Sequence, residues 1–129
     1  DKATIVTDTG VISDDILRRI DDTTLLVLEA NYDPHMLRFG PYQPFLKQRV
    51  ASDEGHLSNE MAAQALLMMK RPDFMQVILA HRSENNNNSV LVTQTIGKML
   101  VDGGVRIGPE MKLQHGQPNE IVSIQSVKR

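Results

Sequence analysis

Short apolar runs, amphipathic stretches and polar turns alternate along the chain in the order expected of strands interleaved with helices. A first apolar run covers residues 4–7. A helix is expected after it, with Ser13 as its cap, Asp14 and Asp15 in its first turn and Arg18 and Arg19 near its end, a charge order that suits the helix dipole. Residues 25–28, Leu-Leu-Val-Leu, are apolar without interruption, as in a strand covered on both faces. The connection over residues 31–55 carries prolines at 34, 41 and 44 and glycines at 40 and 55, and its length predicts either a functional loop or a short helix near 33–39. Leu57, Met61, Ala62, Ala65, Leu66 and Met69 repeat at helical spacing over 58–70, between a capping Ser58 and a terminating Pro72. A third strand is read over 76–80 and a further helix over 89–101, its face formed by Val92, Ile96, Met99 and Leu100. Met111–Leu113 and 121–124 read as two short strands around a Gly-Gln-Pro-Asn turn.

Composition narrows this α/β reading. With 129 residues, 40% of them hydrophobic and 23% charged, the chain suits one globular domain rather than disorder. No apolar run reaches the roughly 18 residues of a membrane span, and the start carries no signal-peptide pattern. Zero cysteines exclude disulfides and thiolate metal sites and are compatible with a reducing, cytoplasmic setting. A net charge of −2 argues against a broadly basic nucleic-acid surface. It leaves room for a local phosphate site whose positive charge comes from metal ions. The start, Asp1-Lys2 leading at once into an apolar run, reads as a chain entered in mid-fold.

Three apolar runs end in residues that bind metal or move protons: Asp8, Glu29 and His81. Ligands of layered α/β folds sit beyond the strand ends, so a converging site is one reading, and ordinary polar strand ends are the other. Asp8 in "TDTG" also reads as a turn residue, with Gly10 supplying a positive φ. Glu29 in its apolar context needs a partner, an arginine in the plainest case. His56 precedes the best helix, where a loop histidine is often incidental. His35 and His115 are read as solvent-facing loop residues, and Met61, Met68, Met69 and Met99 as core packing. There is no H-x-H or H-E-x-x-H clip, no G-x-S-x-G elbow and no glycine-rich phosphate loop.

Taken in order, "TIVTDTG", "LLVLEANYD", "KQRVASDEGHLSNEMAAQALL" and "VILAHRSENNN" resemble the C-terminal half of a metallo-β-lactamase-fold hydrolase. The likeness is to the YycJ/WalJ-like branch, with ribonuclease Z more distant, and it runs from about residue 4 to residue 101. It implies half of an αββα sandwich, residues 1–129 forming a single region. Asp8 matches the aspartate that bridges two metal ions, and His81 matches the last histidine ligand. Glu29 and His56 occupy the positions of a proton-donating pair beside the leaving group, and the asparagine run matches a turn at the site mouth. The resemblance implies a metal-dependent phosphodiester hydrolase of nucleic acid, an exonuclease, using two zinc or manganese ions that clamp the phosphate and lower the pKa of a water between them. The H-x-H-x-D-H motif that supplies most ligands belongs to the N-terminal half and is absent from these residues. The chain is therefore expected to be inactive alone and to work with that half, as a separate chain or cleaved segment, with homo-oligomerisation left open and no membrane partner. A metallo-hydrolase of thioesters or lactones and a non-catalytic interaction module retaining relic motifs are the alternatives.

Overall fold

The computed structural model describes residues 1–116. Its elements are β1 (Ala3–Val6), α1 (Asp14–Ile20), β2 (Leu25–Glu29), α2 (Pro34–Phe39), α3 (Pro44–Val50), α4 (Asn59–Met68), β3 (Met75–Ala80), α5 (Ser89–Asp102) and β4 (Met111–His115). The four strands form one parallel sheet in the order β1-β2-β3-β4, so each strand pairs with its predecessor in the chain. Helical connections make this possible, because parallel neighbours need a crossover long enough to return to the start of the sheet. This is the expected α/β class, compatible with half of an αββα sandwich.

Local chemistry sets the helix starts. The Ser13 hydroxyl accepts from Ile16 N, Ser58 from Met61 N, and the Asp33 and Asn88 side chains from Met36 N and Leu91 N. Pro34 and Pro44 open α2 and α3, where a missing N–H costs nothing. The main core joins Leu26, Leu28, Met75, Val77, Leu79 and Met111 from one face of the sheet to Ile20, Leu66, Ile96 and Leu100 from α1, α4 and α5. Each fully buried leucine or isoleucine in it contributes roughly 1.5–3 kcal/mol. A second, smaller core of Tyr32, Leu37 and Val50, with Tyr42 packed against it, holds α2 and α3 together.

The opposite face differs. Ile5, Val27 and Ile78 stand in register across β1, β2 and β3 and belong to neither core, and Ile5 is 71% exposed.

Three expectations need correction, and a fourth is untested. The connection 31–55 holds two helices, and α3 escaped notice because it is two turns long with Phe45 turned to solvent. Met68 is 66% exposed rather than core, whereas Met69 is buried and Met61 and Met99 pack partly against the core. His115 is the last residue of β4, half-buried beside Thr93, not a loop histidine, while His35 is exposed on α2. The strand expected at 121–124 lies outside the described residues.

Candidate metal centre

The parallel register brings the C-terminal ends of β1, β2 and β3 level, with Val6 beside Leu28 and Leu28 beside Leu79. Glu29 is the last residue of β2, His81 follows β3 directly, and Asp8 lies two residues beyond β1. His56 comes from the segment leading into α4, whose backbone N bonds Val50 O at 3.0 Å. Thus four residues spread over 74 positions meet at one edge. One ligand atom from each of Asp8, Glu29, His56 and His81 lies within 4.8 Å of every other.

Asp8 and His81 both adopt a left-handed backbone, φ 58° in each case. For a non-glycine residue this costs on the order of 1–2 kcal/mol and persists where the surroundings overdetermine it. They do here. Asp8 N donates to Glu29 Oε1 at 3.4 Å, and His81 O accepts from Asn31 Nδ2 at 2.7 Å. Gly10 is not the residue with positive φ. Its role is close approach: a Cβ there would lie 1.6 Å from Ser52 O, and its N–H bonds Asp53 O at 2.9 Å. "TDTG" thereby ties the Asp8 loop to the segment that leads to His56.

Glu29 is fully buried, and its partner is not an arginine. Leu57 N donates to Oε2 at 2.9 Å, His56 Nδ1 lies 3.1 Å from Oε1, and His81 Nδ1 is hydrogen-bonded to the same Oε1. Asp8 Oδ1 is 3.5 Å from His81 Nδ1 and 3.8 Å from His56 Nδ1. The two imidazoles meet edge to face with centroids 5.1 Å apart. Exposure rises outward through the cluster, from Glu29 at 0% through His56 at 29% and His81 at 49% to Asp8 at 70%. A buried carboxylate that engages Nδ1 of both rings leaves each Nε2 as the nitrogen available to a ligand, the arrangement by which outer carboxylates orient metal-binding histidines.

The asparagine run, for which pattern reading found no role beyond a turn, fastens this edge. Asn59 and Asn87 are buried and exchange reciprocal amide bonds, Asn59 Nδ2 to Asn87 Oδ1 at 2.9 Å and Asn87 Nδ2 to Asn59 Oδ1 at 2.8 Å. Asn87 Nδ2 also reaches Ala30 O, and its Oδ1 accepts from Asn88 N. The carbonyl acceptor and the amide donor fix which way the side chain points. Asn86 O accepts from Asp33 N, and Asn88 caps α5. One tetrad of identical letters thus holds the β2 end, α2, α4 and α5 around the His81 loop. Two features left a signal in the sequence: Asp and His are among the residues enriched at positive φ, and Asn is a favoured cap.

The donor set suits a divalent ion. Carboxylate oxygens and imidazole nitrogens are metal ligands, and one such atom from each of the four residues lies within 4.8 Å of the others. The fold and the cluster together define an α/β protein with a candidate metal centre at the carboxyl ends of its sheet.

The chain is 33% identical over 126 residues to a protein named exodeoxyribonuclease YycJ from Bacillus anthracis, which covers 98% of this chain and 48% of that protein. It is 34% identical over 115 residues to exodeoxyribonuclease WalJ from Streptococcus pneumoniae, 89% of this chain and 43% of the relative. The chain is thus similar over most of its length to YycJ/WalJ proteins, a metallo-β-lactamase-fold family, and it spans about half the length of the curated relatives it matches. No protein-family profile and no solved structure matches it.

Proposed function

We propose that the chain supplies part of a dinuclear metal site in a metal-dependent phosphodiester hydrolase of DNA, an exonuclease, with zinc or manganese as its ions. The observation that carries this reading is the convergence of Asp8, Glu29, His56 and His81 within 4.8 Å. The exodeoxyribonuclease names of the relatives support nucleic acid over thioesters or lactones. In this reading Asp8 and His81 hold the ions from this side of the site, and bound ions supply Lewis-acid polarisation of the phosphoryl oxygens. Glu29, saturated by hydrogen bonds, is the orienting group. It holds Nδ1–H of the His56 ring, so that in the protonated ring Nε2–H is the acid that gives its proton to the leaving oxygen.

The remaining ligands, in an H-x-H-x-D-H motif, are assigned to the N-terminal half of the same enzyme. Two observations favour that half as partner: the matched relatives are about twice as long, and the in-register row Ile5, Val27 and Ile78 lies outside both cores. Parallel sheets are ordinarily covered on both faces. No described helix is long and apolar enough to cross a membrane, and we assign the cytoplasm as the setting.

The test uses the complete protein. Asp8→Ala and His81→Ala should each abolish metal-dependent DNA hydrolysis and lower the stoichiometry of bound metal read by elemental analysis. Full activity in either variant refutes the assignment.

A further inference from the structure

Between Glu29 and His56 the chain builds the α2–α3 helix pair, and its surface is unusual. Phe39 and Phe45 are each 67% exposed, although the chain has only three phenylalanines. The same unit buries Tyr32 and packs Tyr42 against its small core. Solubility alone would favour the reverse, because a tyrosine hydroxyl is at home in water and a bare phenyl ring is not. Lack of a core does not account for the exposed rings, since the unit has one and fills it with tyrosines and aliphatics.

Charge singles out the same segment. Residues 34–50 contain Arg38, Lys47 and Arg49 and no acid, a formal +3 with His35 neutral, inside a chain whose total is −2. The Arg38 guanidinium lies 5.4 Å from the Phe39 ring centroid, and the His35 ring lies 4.7 Å from it at a tilt of 52°. Lys47 Nζ donates to Arg38 O at 2.8 Å, which locks the end of α2 to α3. The unit is also tethered to the candidate metal centre at both ends. Asp33 N bonds Asn86 O beside the His81 loop, and Val50 O accepts from His56 N.

We infer that the α2–α3 pair is a binding platform for single-stranded nucleic acid, with Phe39 and Phe45 stacking on bases and Arg38 and Arg49 meeting the backbone phosphates. The inference rests on the nuclease reading for its substrate class and adds to it the form of the strand. Base-paired DNA hides its base faces inside the stack, whereas an unpaired strand offers each base as a flat π-surface to an aromatic ring. Backbone charge is common to both forms, so only the phenyl rings distinguish them. A strand held beside Glu29 and His56 would have its terminal phosphodiester within reach of the cluster.

The experiment measures binding apart from catalysis. Fluorescence anisotropy of a labelled oligothymidylate and of a labelled duplex of equal length is followed with the complete protein in chelator, so that no hydrolysis occurs. Phe39→Leu/Phe45→Leu keeps apolar bulk and removes the rings, while Phe39→Tyr/Phe45→Tyr keeps them. Loss of each stack weakens binding roughly fivefold or more. The leucine pair should therefore bind the single strand at least about 25-fold more weakly, bind duplex as the parent does and keep the parental Tm, with affinity restored in the tyrosine pair. Arg38→Gln/Arg49→Gln should flatten the salt dependence, by about 0.7 in logarithmic slope for each phosphate no longer neutralised. The inference is overturned if the parent does not bind the single strand. It is equally overturned if the leucine pair binds it unchanged, or loses single strand and duplex alike. A fall in Tm with affinity unchanged also overturns it, since the rings would then be covered by protein. The nuclease reading fails separately, if the metal-loaded parent hydrolyses neither DNA nor bis(p-nitrophenyl) phosphate.

Discussion

Removing one amide from the Asn59–Asn87 pair has a cost that the structure lets us work out. Asn87→Ala in the complete protein breaks four hydrogen bonds: two with Asn59, at 2.8 and 2.9 Å, one to Ala30 O at 3.1 Å and one from Asn88 N at 3.0 Å. Asn59 is fully buried and Asn87 is 4% exposed, so water does not replace what is lost. With about 1 kcal/mol for each neutral bond, the loss comes to about 4 kcal/mol. Asn59→Ala breaks only the two mutual bonds and should cost about 2 kcal/mol, because its backbone N–H keeps Tyr32 O. In the double variant neither amide is left facing an empty partner. Its destabilisation should therefore fall short of the sum by about 1–3 kcal/mol. Urea unfolding followed by circular dichroism gives all four corners of the cycle. Additivity within about 0.5 kcal/mol would falsify the reciprocal pair.

Two further outcomes follow from the site's surroundings. Gly10→Ala drives a methyl group into the Ser52 carbonyl, 1.6 Å away, and should cost about 3 kcal/mol or more while displacing Asp8, so both Tm and metal occupancy fall; an unchanged Tm contradicts the close packing. Burial, helped by the nearby Arg82 cation, holds the His115 imidazole below its usual 6.5. The unfolded chain then binds more protons between the two values, so this contribution to stability is full above about 6.5 and is lost as pH falls through the folded value. A His115 titration by NMR with its midpoint above 6.5 refutes this.

The elements that pattern reading found share one property: their signals are local. The first three strands carry short, largely apolar runs, and α1, α4 and α5 carry caps and helical spacing within a single window. The meeting of Asp8, Glu29 and His81 was legible for a related reason. Parallel strands in register bring their carboxyl ends to one edge, so a residue's position at a strand end already gives its neighbourhood. His56 came from resemblance alone, since nothing in its own segment marks it. What stayed hidden was pairing over distance. Asn59 and Asn87 are 28 residues apart, and amide complementarity leaves no periodicity to read. Gly10 was expected to relieve backbone strain, yet the strain sits at Asp8 and the glycine makes room for Ser52. That distinction depends on which loop packs against which.

The sheet's order, β1-β2-β3-β4, is also the order in which a ribosome would deliver it. Each strand can join an edge already present, with no need for a later segment to be inserted between earlier ones. Asp8, Glu29 and His56 emerge first, and His81 comes 52 residues after Glu29. Only then does the nascent chain hold all four of these residues, and six residues later Asn87 arrives to fasten the loop to Asn59 and Ala30, both already made. Vectorial synthesis thus builds the cradle before its last ligand and supplies the clasp directly behind it.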